Sequence, residues 1–201
     1  MRTVSLIVVL AVSLCGQVQS VSLKAPFGPA IRLVSPDGTH ALFGIDKTAE
    51  LWLEDTSTHQ RRKVLDATVQ TLTLAWSPDS AAFIANDRAA SDEETAYIYD
   101  VRTLGRLDLR RLILSADPEA ARFMPGDKNT VDHCYFHAIR WVDAHHVEVQ
   151  LHGHSHGELV GTSIRSGDCF DLRYRAGRDG TVQKLAQRVA PISSSVCREM
   201  E

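Results

Sequence analysis

After its first twenty residues this 201-residue chain has no long apolar run. A membrane-crossing helix needs roughly 20 consecutive apolar residues, so no transmembrane helix is expected beyond that point. Aromatic residues make up only 6% of the chain, which is low for a sugar-binding surface. Basic residues are neither abundant nor clustered: 22 Lys and Arg stand against 25 Asp and Glu, for a net charge of −3. That balance leaves no electrostatic footprint for nucleic acid or an anionic membrane. Neither a P-loop nor a dinucleotide fingerprint occurs. Cysteine is sparse, at four residues.

What the chain does have begins with "MRTVSLIVVLAVSLCGQVQS". Arg2 forms a short basic region, Val4 to Leu14 is apolar, and Val18-Gln19-Ser20 precedes a cleavage site, so residues 1–20 read as a secretory signal peptide. Leu14 stands before Cys15, where lipid attachment wants a small residue. Removal of 20 residues from 201 leaves a mature chain of 181, exported to the periplasm or the extracellular space. Loss of Arg2 brings its charge to −4. Cys134, Cys169 and Cys197 survive processing, and an oxidising compartment predicts one disulfide and one thiol. Spacing allows three pairings; Cys134–Cys169 is the favoured one, because both cysteines fall in one structural unit.

Internal repetition is the strongest pattern. From Ala30 the chain reads "AIRLVSPDGTHALFGIDKTAELWLEDTSTHQRRKVL", and from Thr71 "TLTLAWSPDSAAFIANDRAASDEETAYIYDVRTLGRLDLRRLI". Each copy holds an apolar strand, a Ser-Pro-Asp turn, a second apolar strand, an alternating strand ("ELWLED", "AYIYDV") and a short basic-apolar strand. Ser35 and Ser77 are 42 residues apart, within the period of about 40–45 of four-stranded propeller blades. A looser third copy starts at His137, with Trp141 to His145 in place of the Ser-Pro-Asp turn and Arg178-Asp179-Gly180 as a later tight turn.

The Ser-Pro-Asp-Gly turn between apolar strands resembles the blade repeat of the TolB-like, WD40-like propellers of bacterial envelopes. The resemblance covers residues 30–113 well and 137–187 loosely. It implies an all-β fold of three blade-like antiparallel sheets, over 30–66, 71–114 and 137–187, in a single domain, 21–201. Residues 115–136 form an insertion with a short helix near 116–124, and 188–201 form a tail. Propellers close with roughly four to eight blades, so three blades are expected to form an open or incomplete stack. Closure by oligomerisation and a different all-β sandwich are the alternatives. For function, the resemblance implies an exported, non-catalytic binding module for an envelope or extracellular protein partner.

The sharpest chemical feature is "LHGHSHGEL", residues 151–159. On a strand, His152, His154 and His156 share one face. The outer two would stand about 13 Å apart, so a straight strand cannot bring all three to one ion. A bend at Gly153 or Gly157 would permit two of them with a third ligand from His133, His137, Asp132 or Glu158. Such a site would take zinc or another divalent transition metal, and the alternative function is a zinc-dependent hydrolase with Glu158 as base. The bland reading is a polar strand end. Asp132-His133-Cys134 reads as disulfide context rather than a Cys-His nucleophile. Asp87 to Thr95 reads as a solvated hairpin loop rather than a calcium loop. Arg61-Arg62-Lys63 and Arg110-Arg111 read as matching outer strands.

Overall fold

Two turns of like sequence fold alike. Ser35 Oγ donates to Asp37 Oδ1 (2.6 Å) and accepts from the His40 N–H (3.0 Å), while Asp37 accepts from the Thr39 N–H (3.0 Å). Forty-two residues on, Ser77 Oγ donates to Asp79 Oδ1 (2.6 Å) and accepts from the Ala82 N–H (3.0 Å), and Asp79 accepts from the Ala81 N–H (3.1 Å). Both turns need one residue at positive φ, supplied by Gly38 (76°) and Ser80 (61°). Ser80 is held there by a contact between repeats: its buried hydroxyl accepts the Asp37 N–H at 3.0 Å. Arg178, in the later tight turn of the third copy, reaches Asp79 Oδ2 at 3.0 Å and the carbonyl of Ala144, in the matching turn, at 3.1 Å. The three turns are thus tied in series.

The computed structural model describes residues 20–23, 32–45, 48–66, 71–88, 93–124, 131–155 and 168–191. After β1 (Ser20–Leu23), strands β2 (Arg32–Val34), β3 (His40–Gly44), β4 (Glu50–Asp55) and β5 (Arg61–Asp66) form an antiparallel four-stranded sheet. The second copy supplies β6 (Thr71–Trp76), β7 (Ala82–Arg88), β8 (Glu93–Asp100) and a short β9 (Arg106–Asp108), with β1 paired to the outside of β6. A helix, α1 (Leu109–Ala116), and a 3-10 helix (Pro118–Phe123) follow. The third copy is the meander β10 (Val131–Trp141), β11 (His146–Ser155), β12 (Asp168–Gly177) and β13 (Val182–Pro191).

The chain is all-β with a short helical segment, and its sheets do not close. It departs from three separate blades at β8. The first residues of β8 pair in parallel with β10, Glu93 with Cys134 and Glu94 with Tyr135, while its last residues pair with β9. The second and third copies therefore share one nine-stranded sheet. A second departure is "LRRLI", which is helical rather than a strand. Asp108 caps α1 by accepting the Arg111 N–H (2.9 Å), and Leu109 and Ile113, one turn apart, are both buried. Arg110 and Arg111 therefore do not repeat the strand position of Arg61 and Arg62. The expected insertion is also shorter, because residues 131–136 belong to β10.

Two cores hold the stack. Between the first two sheets, Phe83 stacks on Tyr99 (5.1 Å between centroids) and meets the edge of Trp76 (5.4 Å), against Leu42 and Leu53 from the other side. The second core joins Ile84 and Ile98 to Phe136, Leu151 and Phe170, with α1 laid across it. Each fully buried side chain of this size contributes roughly 1.5–3 kcal/mol. Two indoles set the alignment: Trp76 Nε1 donates to the Leu33 carbonyl (3.1 Å), and Trp141 Nε1 donates to the Ala75 carbonyl (3.2 Å). The outer face of the first sheet is charged. Arg32 (2.7 Å) and Arg61 (2.8 Å) grip Glu54, and Arg61 also covers the Phe43 ring at 4.9 Å. The Arg32 hydrogen bond leads in pulling the Glu54 carboxyl down to about 2. Polar outer faces are what the terminal members of a stacked array need.

Candidate functional site: a polar cavity on the third sheet

Strict alternation along β10, β11 and β12 builds the site. Phe136, Val149, Leu151 and Leu172 turn to the core, which sends the intervening residues to the opposite face. Register then assembles rows across the strands. One row runs Tyr135, His152, Asp171, Arg188; the next runs His137, Gln150, Arg173. A bulge in β10 lies between Ala138 and Arg140. Asn86, buried on β7, clips it from the second copy. Its Nδ2 donates to the Ala138 carbonyl (2.9 Å), and its Oδ1 accepts the Ala138 N–H (2.8 Å).

Tyr135, His152, His137, Gln150 and Arg173 of these rows floor a cavity of about 720 Å³, whose far wall is Thr71, Thr73, Arg88 and Glu94 from the second copy. Asp171 is fully buried, yet it is satisfied by Arg173 Nε (2.9 Å) and by Arg188. Glu94 is nearly buried and stands 2.8 Å from His137 Nδ1. His152 lies 5.1 Å from the Tyr135 ring, and the Arg88 guanidinium lies 5.1 Å from the same ring. Burial pushes the His152 imidazole below its usual range against the opposing pull of Glu94. The ring is therefore neutral at pH 7 and offers one donor and one acceptor. The site thus combines two guanidinium groups, hydroxyls, a neutral imidazole and carboxylates that already have partners.

His152 and His154 do share a face, as the alternation predicts. His137 is engaged by Glu94. His154 sits opposite His133 on one side and Cys169 on the other. Among the described residues, no three His, Cys, Asp or Glu side chains converge as a metal site. His156 and Glu158 lie outside the described residues, as do the side chains of Asp132 and His133. Of the expected signal peptide, residues 1–20, all but Ser20 lie outside them too. Cys134 is a buried thiol beside Met124 Sδ (3.6 Å) and not a disulfide half, so the Cys134–Cys169 pair is not made. Register gives the reason. Cys134 aligns with Gly153 and Phe170, Cys169 aligns with His154, and so the two sulfurs leave opposite faces of strands separated by β11.

Several residues of the cavity escape a reading of motifs. Asp171 and Arg173 alternate with Leu172 and Tyr174 in "CFDLRYR", so that pattern carried their shared face. Glu94 lay inside a stretch read as a loop. Instead β7 extends to Arg88 and β8 starts at Glu93. Asp87, on β7, has a buried Oδ1 that meets no hydrogen-bond donor among the described residues. Burial first, and then the charge of Glu94, push its carboxyl up to about 6. A folded pKa raised above the unfolded value of about 3.9 favours folding at low pH, and that gain is lost as pH rises through the window from about 4 to about 6. Asp87→Asn should therefore stabilise the protein at pH 7 by about 1 kcal/mol, a figure discounted for partial solvent access, and should be neutral near pH 4. Urea midpoints at both pH values test this; equal gains at both would rule out the charge as the cause.

No family model matches the chain, and no curated protein matches it significantly. Among solved structures it is similar to putative TolB from Agrobacterium tumefaciens (12% identity, 79% of this chain and 50% of that chain, TM-score 0.36). It is also similar to TolB from Acinetobacter baumannii (14% identity, 81% and 46%, TM-score 0.33). A third similar structure is the S. cerevisiae core factor (9% identity, 81% and 23%, TM-score 0.34). The chain spans half or less of each matched chain.

Proposed function

We propose that this chain is an exported, non-catalytic binding module whose open sheets engage an envelope or extracellular protein partner. The observation that carries the reading is β13. It is a ten-residue strand at the end of the larger sheet, and Gln183 to Arg188 are exposed on both faces. Among the described residues no strand pairs with its outer edge. Such an edge presents a row of backbone donors and acceptors to a partner strand, and exposed Leu185 adds an apolar contact. Export is supported by the leader-like sequence of residues 1–20. Cys134 is a thiol and Cys169 is in the bonded form, as an oxidising compartment allows. In-cell crosslinking from a photoreactive residue at position 185, followed by N-terminal sequencing, tests both parts. The expected result is one stoichiometric adduct to an envelope protein on a chain starting at Val21. A chain that keeps Met1 and gives no adduct would sink the proposal.

A further inference from the structure

We infer that the cavity over β10, β11 and β12 binds a small polyhydroxylated carboxylate of the uronic-acid type, its carboxylate held by Arg173 and its hydroxyls by Thr71, Thr73, His152 and Glu94. The inference is independent of the partner-binding reading, since cavity and edge use different residues.

Charge selects the anion. The lining carries Arg88 and Arg173 against Glu94 alone, within a chain whose net charge is −3. Glu94 already has a partner in His137 Nδ1 (2.8 Å), and the buried Asp171 is offset by Arg173 and Arg188. An incoming carboxylate therefore meets two guanidinium groups against one lining carboxylate. Arg173 is built for that role. Its Nε is spent on Asp171 (2.9 Å), which fixes the plane of the group, and Glu148 flanks NH1 at 3.7 Å. A guanidinium carries five N–H donors in a rigid fork, so donors remain to grip a carboxylate.

The rest of the lining selects hydroxyls. Thr71 and Thr73 alternate on β6 and share a face, with hydroxyl-bearing positions about 7 Å apart, a span that a pyranose ring with its hydroxyls can bridge. Glu94 can accept from a sugar hydroxyl, and neutral His152 can accept or donate. A bare phosphate would satisfy Arg173 but leave these groups unused. A neutral sugar would leave the guanidinium without an anion, and the usual aromatic platform is already taken, because Tyr135 is covered by His152 and Arg88. The volume of about 720 Å³ falls in the range of small-molecule sites.

The test is calorimetric titration of the mature protein with D-glucuronate and D-galacturonate, against D-glucose and inorganic phosphate, while the imidazole signals of His152 and His154 are followed by NMR. At least one uronate should bind about tenfold or more tightly than glucose or phosphate and shift the His152 signals. Arg173→Lys should weaken that uronate about tenfold, and Thr73→Val, which keeps the side-chain shape, should weaken it severalfold. Should Arg173→Lys fail to fold, Thr73→Val decides. The proposal is overturned by silence with both uronates, by equal binding of glucose or phosphate, or by binding that leaves the His152 signals and the Thr73→Val affinity unchanged.

Discussion

Replacing Asp171 with alanine should lower the unfolding free energy by about 3 kcal/mol, the low end of what removing one partner of a buried ion pair costs. The low end applies because the two cations left behind are not equally sealed. Asp171 is 0% exposed, but Arg173 is 25% and Arg188 46% exposed, so both guanidinium groups can turn partly toward water. What they lose is the anchor that ties β12 to β13 and sets the plane of Arg173. Asp171→Asn keeps the shape and one acceptor, and should therefore cost less than the alanine variant. Urea unfolding of the two variants gives the comparison. A loss under 1 kcal/mol for Asp171→Ala would mean that the carboxylate does not organise this face.

The second large effect is expected at Asn86. Asn86→Leu keeps roughly the same volume but removes both hydrogen bonds to Ala138, stranding a backbone N–H and a carbonyl of β10 beyond the two residue pairs that β8 makes with it. An orphaned buried group costs about 1–3 kcal/mol. Because the two groups share one site, the total should be about 2–3 kcal/mol. The loss should be local. The parallel seam between β8 and β10 is only two residue pairs long, so Asn86 is a principal tie across it. Amide exchange should accelerate in β10 and β11 while β3 and β4 keep their protection. Uniform acceleration through all sheets would show that Asn86 supports global stability rather than the seam.

The contrast between these sites shows what single-sequence pattern could carry. The Ser-Pro-Asp turns, the four strands of the first sheet and the shared face of His152 and His154 all follow from local rules: a preset φ, a short polar reach, a period of two. The parallel β8–β10 pairing follows from none of them. It joins residues some 40 positions apart with no turn between to announce it, as does the Glu94–His137 contact that occupies one expected metal ligand. "LRRLI" failed for a different reason. A short run of mixed basic and apolar residues fits helix and strand equally, and the deciding residue was Asp108, whose carboxylate caps the helix. Cys134 and Cys169 were joined by proximity along the chain, whereas pleat parity parted them.

The two indole bonds have a direction. Trp76 reaches back to Leu33, and Trp141 reaches back to Ala75; each aligns its own repeat on the one already made. The contact between turns, Arg178 to Asp79, runs the same way. Synthesis delivers the N-terminal repeat first, at about 5–20 residues per second, so each sheet emerges seconds after the surface that it docks on. Like courses of brick, every layer finds its bed laid before it arrives, and none has to hold its shape waiting for the next.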